Sequence, residues 1–164
     1  METIAPQKLQ PLLERQLVCK NLNIDGECLS FTAYQTSGVG LYVFKENVQR
    51  RSFFEIEILS MGKSGSLAIG LVPDGFPDNL LPGLGQNSYG YNSDGRVYTE
   101  SESGIKSGDA WKVGDIIKCK IVLWRLIFTN NRKVIHGKWM NDKKYHFAVG
   151  MEGPGGEIRV TNVP

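Results

Sequence analysis

The sequence predicts an all-β fold of two antiparallel sheets stacked as a sandwich. Two segments, Ser52 to Ser60 (SFFEIEILS) and Asp115 to Leu123 (DIIKCKIVL), alternate apolar and polar residues with the period of two expected of a half-buried strand. The 164 residues include 19 glycines and only short apolar runs, which fits many strands and turns. Short strands follow one another without amphipathic helices between them, the pattern of stacked antiparallel sheets.

Residues 1–16 carry Pro6 and Pro11 among Leu9, Leu12 and Leu13 and read as an N-terminal arm or short helical turn. The domain proper is expected over residues 17–164, with no internal boundary. From Leu17, LVCKNLNI and ECLSFT read as two strands joined by a hairpin turn at Asp25-Gly26. In SFFEIEILS, Phe54, Ile56 and Ile58 share one face, and Glu55 and Glu57 the other. In DIIKCKIVL, Ile117, Cys119, Ile121 and Leu123 lie opposite Lys118 and Lys120, which makes Cys119 a core residue. Further strands are expected at Leu41 to Phe44, Ser66 to Val72, Leu126 to Thr129, Lys133 to Ile135, Tyr145 to Met151 and Glu157 to Thr161. Loops rich in Gly, Pro, Asp and Asn separate them, and no internal repeat is visible.

The stretch PGLGQNSYGYNSDGRVY (Pro82 to Tyr98) is glycine-rich, yet no helix follows it, and a phosphate cradle needs such a loop to open into one. It reads as the end of a long exposed loop, a strand through Tyr89 and Tyr91, and a tight turn at Ser93-Asp94-Gly95.

A formal charge of +2, with cations dispersed among acids, lacks the basic stripe of a nucleic-acid binder, so no nucleic acid is expected as a partner. Cys19, Cys28 and Cys119 form no Cys-x-x-Cys pair, and with His136 and His146 they assemble no local zinc spacing. No metal and no cofactor are therefore expected. There is no run of about eighteen apolar residues to cross a bilayer, no secretory signal and no Asn-x-Ser/Thr sequon. An intracellular protein, cytoplasmic or nuclear, with reduced thiols and no membrane partner is the expectation.

Candidate catalytic groups fail on pattern. His136 and His146 are single histidines among strands, the usual setting of a surface or satisfied imidazole. Glu55 and Glu57 are the solvated face of a strand before they are a glycosidase pair. Ser64 and Ser66 sit near glycines without a Gly-x-Ser-x-Gly elbow. No enzyme is expected.

The order of SFFEIEIL, GSLAIGLVPDGFP (Gly65 to Pro77), LPGLGQNSYGYNSDGRVY, VGDIIKCKI (Val113 to Ile121), IFTNN (Ile127 to Asn131), FAVGM and EIRV resembles the SPRY domain family, over nearly everything after about Asn21. The resemblance implies a bent β-sandwich that is not an enzyme. It implies a protein-recognition module, often the partner-binding part of a ubiquitin ligase adaptor, scaffold or chromatin complex. The chain departs from the family where it has Pro82-Gly83-Leu84 in place of Pro-Gly-Trp, and Thr129-Asn130-Asn131-Arg132 in place of a Lys-Asn-Gly hairpin. IVLWRLIFTN is also shorter than the usual strand pair and leaves only a very tight connection at Trp124-Arg125.

By position, the resemblance puts a peptide-binding rim on loops at one end of the sandwich: Tyr34, Gln35 and Thr36; Phe76, Asp78, Asn79, Leu80 and Leu81; and Met151, Glu152 and Gly153. Prolines around VPDGFPDNLLPGLG limit that loop's freedom and suit it to a preformed rim. Phe76 and Leu81 have a second reading, as plugs at the end of the core. Trp111 and Trp139 are large aromatics expected to be mostly buried. The partner is expected to be another protein; the alternative is a lectin-like sandwich whose Tyr, Trp, Asp and Asn hold a glycan or other small ligand.

Overall fold

The computed structural model describes residues 12–32, 37–63, 66–99, 104–140 and 144–164, with the backbone alone for residues 136–139. The chain forms the expected all-β architecture of two antiparallel sheets, with one turn of 3-10 helix at Leu12–Glu14. No helix among the described residues is long and apolar enough to cross a membrane.

Among the described residues, the first sheet has seven strands: β1 (Gln16–Lys20), β4 (Val39–Phe44), β6 (Ser66–Pro73), β7 (Tyr89–Asn92), β8 (Arg96–Thr99), β9 (Ile105–Lys106) and β13 (Tyr145–Glu152). The second also has seven: β2 (Leu22–Asp25), β3 (Cys28–Phe31), β5 (Arg51–Met61), β10 (Ile116–Val122), β11 (Arg125–Asn130), β12 (Lys133–Trp139) and β14 (Gly156–Asn162). Their spatial orders are β1-β4-β13-β6-β7-β8-β9 and β12-β11-β10-β5-β14-β3-β2. The last two strands in sequence therefore sit inside the two sheets, β13 between β4 and β6, and β14 between β5 and β3.

Alternation decides what each sheet buries. Tyr42, Phe44, Phe54, Ile56, Ile58, Ile69, Ile117, Cys119, Phe128, Phe147 and Val149 are all fully buried in one core between the sheets. Phe44 packs edge-on against both Tyr42 and Phe54, with centroids 5.0 and 5.2 Å away. Trp111 is buried and meets Tyr91 edge-to-face at 5.1 Å. Within the arm, Leu12 is buried and its carbonyl accepts the Tyr42 hydroxyl proton.

Two local expectations need correction. LVCKNLNI is not one strand: Asn21 takes φ 58, so β1 pairs with β4 in the first sheet and β2 pairs with β3 in the second. Asn tolerates the left-handed region, and here its side chain also donates to the Val39 carbonyl at 3.0 Å. The second concerns Leu123. Val122 pairs with Arg125, so the tight turn is Leu123-Trp124, at φ 51 and 64, and Leu123 leaves the core face for solvent. Two successive positive φ values give the primed turn that matches strand twist, built here without glycine. The β11–β12 turn repeats the device at Asn131-Arg132, φ 50 and 74, and Asn131 fixes it by donating to Asp115 Oδ1 and accepting from the Ile116 N–H.

Candidate recognition surface

The loop joining β6 to β7, residues 74–88, does not stand out at one end of the sandwich. It lies folded across the outer face of the first sheet as a lid, for a reason set by side-chain size. Along β6, large Leu67, Ile69 and Leu71 face the core while Ala68 and Gly70 face out; along β13, Phe147, Val149 and Met151 face in while Ala148 and Gly150 face out. The outer face is therefore a low shelf. A Cβ at Gly150 would lie 2.8 Å from Leu81 Cδ2, and one at Gly90 would lie 1.9 Å from the Pro82 carbonyl oxygen, so the lid rests on the strands at a distance only glycine permits. At the margin of the shelf Leu41, Val43, Val72 and Ala148 form a second apolar cluster, against which Phe76 and Val18 pack. Keeping each such Val or Leu from water is worth about 1.5–3 kcal/mol, which holds the lid down.

Polar contacts fix the lid's two ends. At the start, Asp74 Oδ1 meets His146 Nε2 at 2.5 Å, and Phe76 N donates to the Pro73 carbonyl at 3.3 Å. At the end, Ser88 Oγ accepts from Gly83 N and donates to the Gly85 carbonyl. His146 is buried, with Nδ1 2.8 Å from the Phe44 carbonyl and Nε2 also 3.2 Å from Asn47 Nδ2. Both ring nitrogens are thus engaged in holding structure.

Between its anchored ends the lid presents a rim. Phe76 and Leu80 are partly exposed and converge over Gly85, whose added Cβ would meet Phe76 Cε1 at 2.6 Å and Leu80 Cδ1 at 3.2 Å. Asn79 is exposed beside them. Asp78 forms an ion pair with Lys20 of β1 at 3.0 Å, each side chain about half exposed at 47% and 48%.

Of the residues expected at the rim, Phe76, Asp78, Asn79 and Leu80 share this surface. Phe76 combines both of its readings, since one side packs on the second cluster and the other reaches solvent. Leu81 is 2% exposed and Met151 is fully buried in the main core, so neither side chain is available as a surface anchor; Leu81 instead packs down on the strand at Gly150. Glu152 is exposed at the end of β13, and next to it Gly153 N donates to the Gly38 carbonyl, joining the β13–β14 and β3–β4 connections. Tyr34, Gln35 and Thr36 lie outside the described residues, as do Ser64 and the side chains of His136 and Trp139. Sequence reasoning missed Lys20, Ser88 and the shelf. The shelf had a signal: small residues alternating with large ones in SLAIGLV and HFAVGM.

Among the described residues no three His, Cys, Asp or Glu side chains gather as metal ligands. The surface offers apolar contact, charge and amide hydrogen bonding, the chemistry of recognition.

No protein-family model matches the chain. It is 33% identical over 132 residues to the Ran-binding proteins 9/10 homolog of Drosophila melanogaster, across 77% of this chain and 13% of that protein. It is 31% identical over 153 residues to human SPRY domain-containing protein 3, across 86% of this chain and 34% of the relative. Among solved structures, a human SPRY domain superposes with a TM-score of 0.80 at 28% identity, over 87% of this chain and 96% of that one. The chain is a SPRY domain. The SPRY domain of human HERC1, at 15% identity and a TM-score of 0.68, shares the fold. This SPRY domain spans about an eighth to a third of the length of those two curated relatives.

Proposed function

We propose that this SPRY domain is a non-catalytic module that binds a segment of another protein on the rim formed by Phe76, Asp78, Asn79 and Leu80, with Glu152 at its border. The observation that carries this is the seating of the lid: Phe76 and Leu80 stand side by side, partly exposed, on a loop anchored at both ends. An anchored loop loses little freedom when a partner binds, and an apolar pair ringed by Asp, Asn and Lys matches the core-and-rim plan of protein interfaces. In this reading the domain is the recognition part of an intracellular adaptor or scaffold, substrate selection for a ubiquitin ligase being one form of that role. The free thiols of Cys19, Cys28 and Cys119 suit a reducing compartment.

The test is affinity purification with mass spectrometry, comparing the natural chain with the double variant Asp78→Arg, Leu80→Asp after its melting curve is shown to be unchanged. Partners lost only in the variant support the rim, and partners kept in both place recognition elsewhere. Saturable thermal stabilisation by sugars, with no protein partner in either sample, would replace the module by a glycan binder.

A further inference from the structure

The outer face of the second sheet, on the far side of the sandwich from the lid, carries a patch that the rim does not use. Strand pairing sets its outward side chains in rows across β5, β10 and β11: Arg51, Val122 and Arg125 in one, then Phe53, Lys120 and Ile127 in the next. The two acids of β5 on this face are already engaged. Glu55 pairs with Lys118 at 3.6 Å and accepts from Thr161 and Asn162, and Glu57 pairs with Arg159 at 3.5 Å. Among the described residues, no acid lies within ion-pair distance of Arg51, Lys120 or Arg125.

At the edge of these rows stands the Leu123-Trp124 turn. Its side chains are 42% and 47% exposed, on backbone that Asn-Gly adopts freely and Leu-Trp resists. The turn is held in place: Leu123 N donates to the Arg50 carbonyl at 2.9 Å, and the Trp124 carbonyl accepts from Met140 N at 3.1 Å. Phe53 and Val122 continue the apolar surface at 39% and 37% exposure. Strained backbone that aims a tryptophan into water beside unpaired cations is a costly arrangement for a surface without a partner, and Trp and Arg are the residues that dominate protein interfaces.

We infer that this face docks an acidic segment of a partner protein that carries apolar side chains between its carboxylates. The charge left unpaired on the face is positive and interleaved with apolar residues, so the complementary ligand alternates the two in the same way. A bilayer fits less well. Insertion of the turn would engage Leu123 and Trp124 but leave the row of Phe53 and Lys120, about 10 Å further along the strands, behind. A segment running along β10 reaches both rows.

The test uses fluorescence polarisation with three short labelled probes: one alternating Asp or Glu with Phe or Leu, one with Ser in place of the apolar residues, and one with Lys in place of the acids. The first is expected to bind saturably, at least tenfold more tightly than the others, and to weaken as salt rises. The decisive variant is Leu123→Asn, Trp124→Gly, which supplies the preferred turn. It is expected to melt several degrees higher, ~2–4 °C for each kcal/mol gained, yet to bind the first probe at least tenfold more weakly. Lys120→Gln, Arg125→Gln is expected to lose the binding as well, while Asp78→Arg, Leu80→Asp keeps it, which separates this face from the rim. Equal binding of all three probes, no saturable binding of the first, or binding unchanged in the turn variant overturns the inference. Trp124-dependent capture by phosphatidylserine vesicles, with no peptide binding, would overturn it in favour of a membrane.

Discussion

His146 Nε2 lies 2.5 Å from Asp74 Oδ1, tying a buried imidazole of β13 to the first residue of the lid. Nδ1 in turn lies 2.8 Å from the Phe44 carbonyl, so the ring is oriented by β4 as well. Asp74→Ala is expected to release the lid while the sheets stay formed. Hydrogen exchange should quicken at residues 75–88 and remain slow in β4 and β13, with global stability lower by about 1 kcal/mol. Equal loss of protection in β13 would show that the contact supports the sheet and not the lid.

Gly90 and Gly75 separate two costs of a methyl group. At Gly90 it would meet the Pro82 carbonyl oxygen at 1.9 Å, a backbone atom that cannot turn aside. At Gly75 it would meet nothing within 4 Å but would sit on backbone at φ 75. Urea denaturation of Gly90→Ala is expected to show a loss at the upper end of about 1–3 kcal/mol, with the lid displaced. Gly75→Ala should lose about 1 kcal/mol from backbone strain alone and keep the lid seated.

Alkaline pH should destabilise the fold in a definite window. Burial raises the Tyr42 and Tyr91 phenols above their ordinary value and the Cys119 thiol well above its own; for Tyr91, Asn130 and Trp111 beside the hydroxyl offset part of the rise. In the unfolded chain these groups ionise near their ordinary values, about 8.5 for Cys and about 10 for Tyr, before the folded chain does. Their contribution is therefore complete below those values and is lost as pH rises from them toward the raised values of the folded chain. The urea midpoint is expected to fall above about pH 9. Tyr91→Phe should flatten part of that fall at little cost near pH 7, because the Tyr91 hydroxyl is buried without a partner in hydrogen-bond geometry.

The three free thiols should divide by burial. Cys119 is fully buried, with its thiol held far from ionisation, whereas Cys19 and Cys28 are partly exposed. Titration with a disulfide reagent is expected to modify Cys19 and Cys28 in the folded protein, and Cys119 only after denaturation. Rapid reaction of all three in native buffer would mean that the core opens far more often than its packing implies.

Strands were legible wherever one face is buried and the other wet, as in β5 and β10, because the period of two is written directly into the residues. The reading failed where backbone angle outweighs pattern. Leu123 continues the apolar alternation of β10, but the chain turns back at that residue; Asn21 interrupts a run that looks continuous. The lid's destination was written in Gly90 and Gly150, yet a small residue in a strand announces only that something lies close, not which segment does. Which strands share a sheet was not legible at all. That choice rests on pairings such as Val43 with Ala148, between segments that no local pattern connects.

The central places of β13 and β14 have a consequence for the birth of the molecule. A ribosome releases these strands after the other strands of the two sheets, and until then β4 has no strand to join it to β6, and β5 none to join it to β3. The nascent chain must therefore carry strand edges and apolar faces unclosed until residues 145–162 emerge, and only then are the two halves of each sheet joined. Folding governed by such distant pairings runs on the millisecond-to-second scale. A ribosomal stall just before Tyr145 would leave a polypeptide with nearly all of its strands and neither finished sheet, which is the kind of intermediate that chaperones exist to shield.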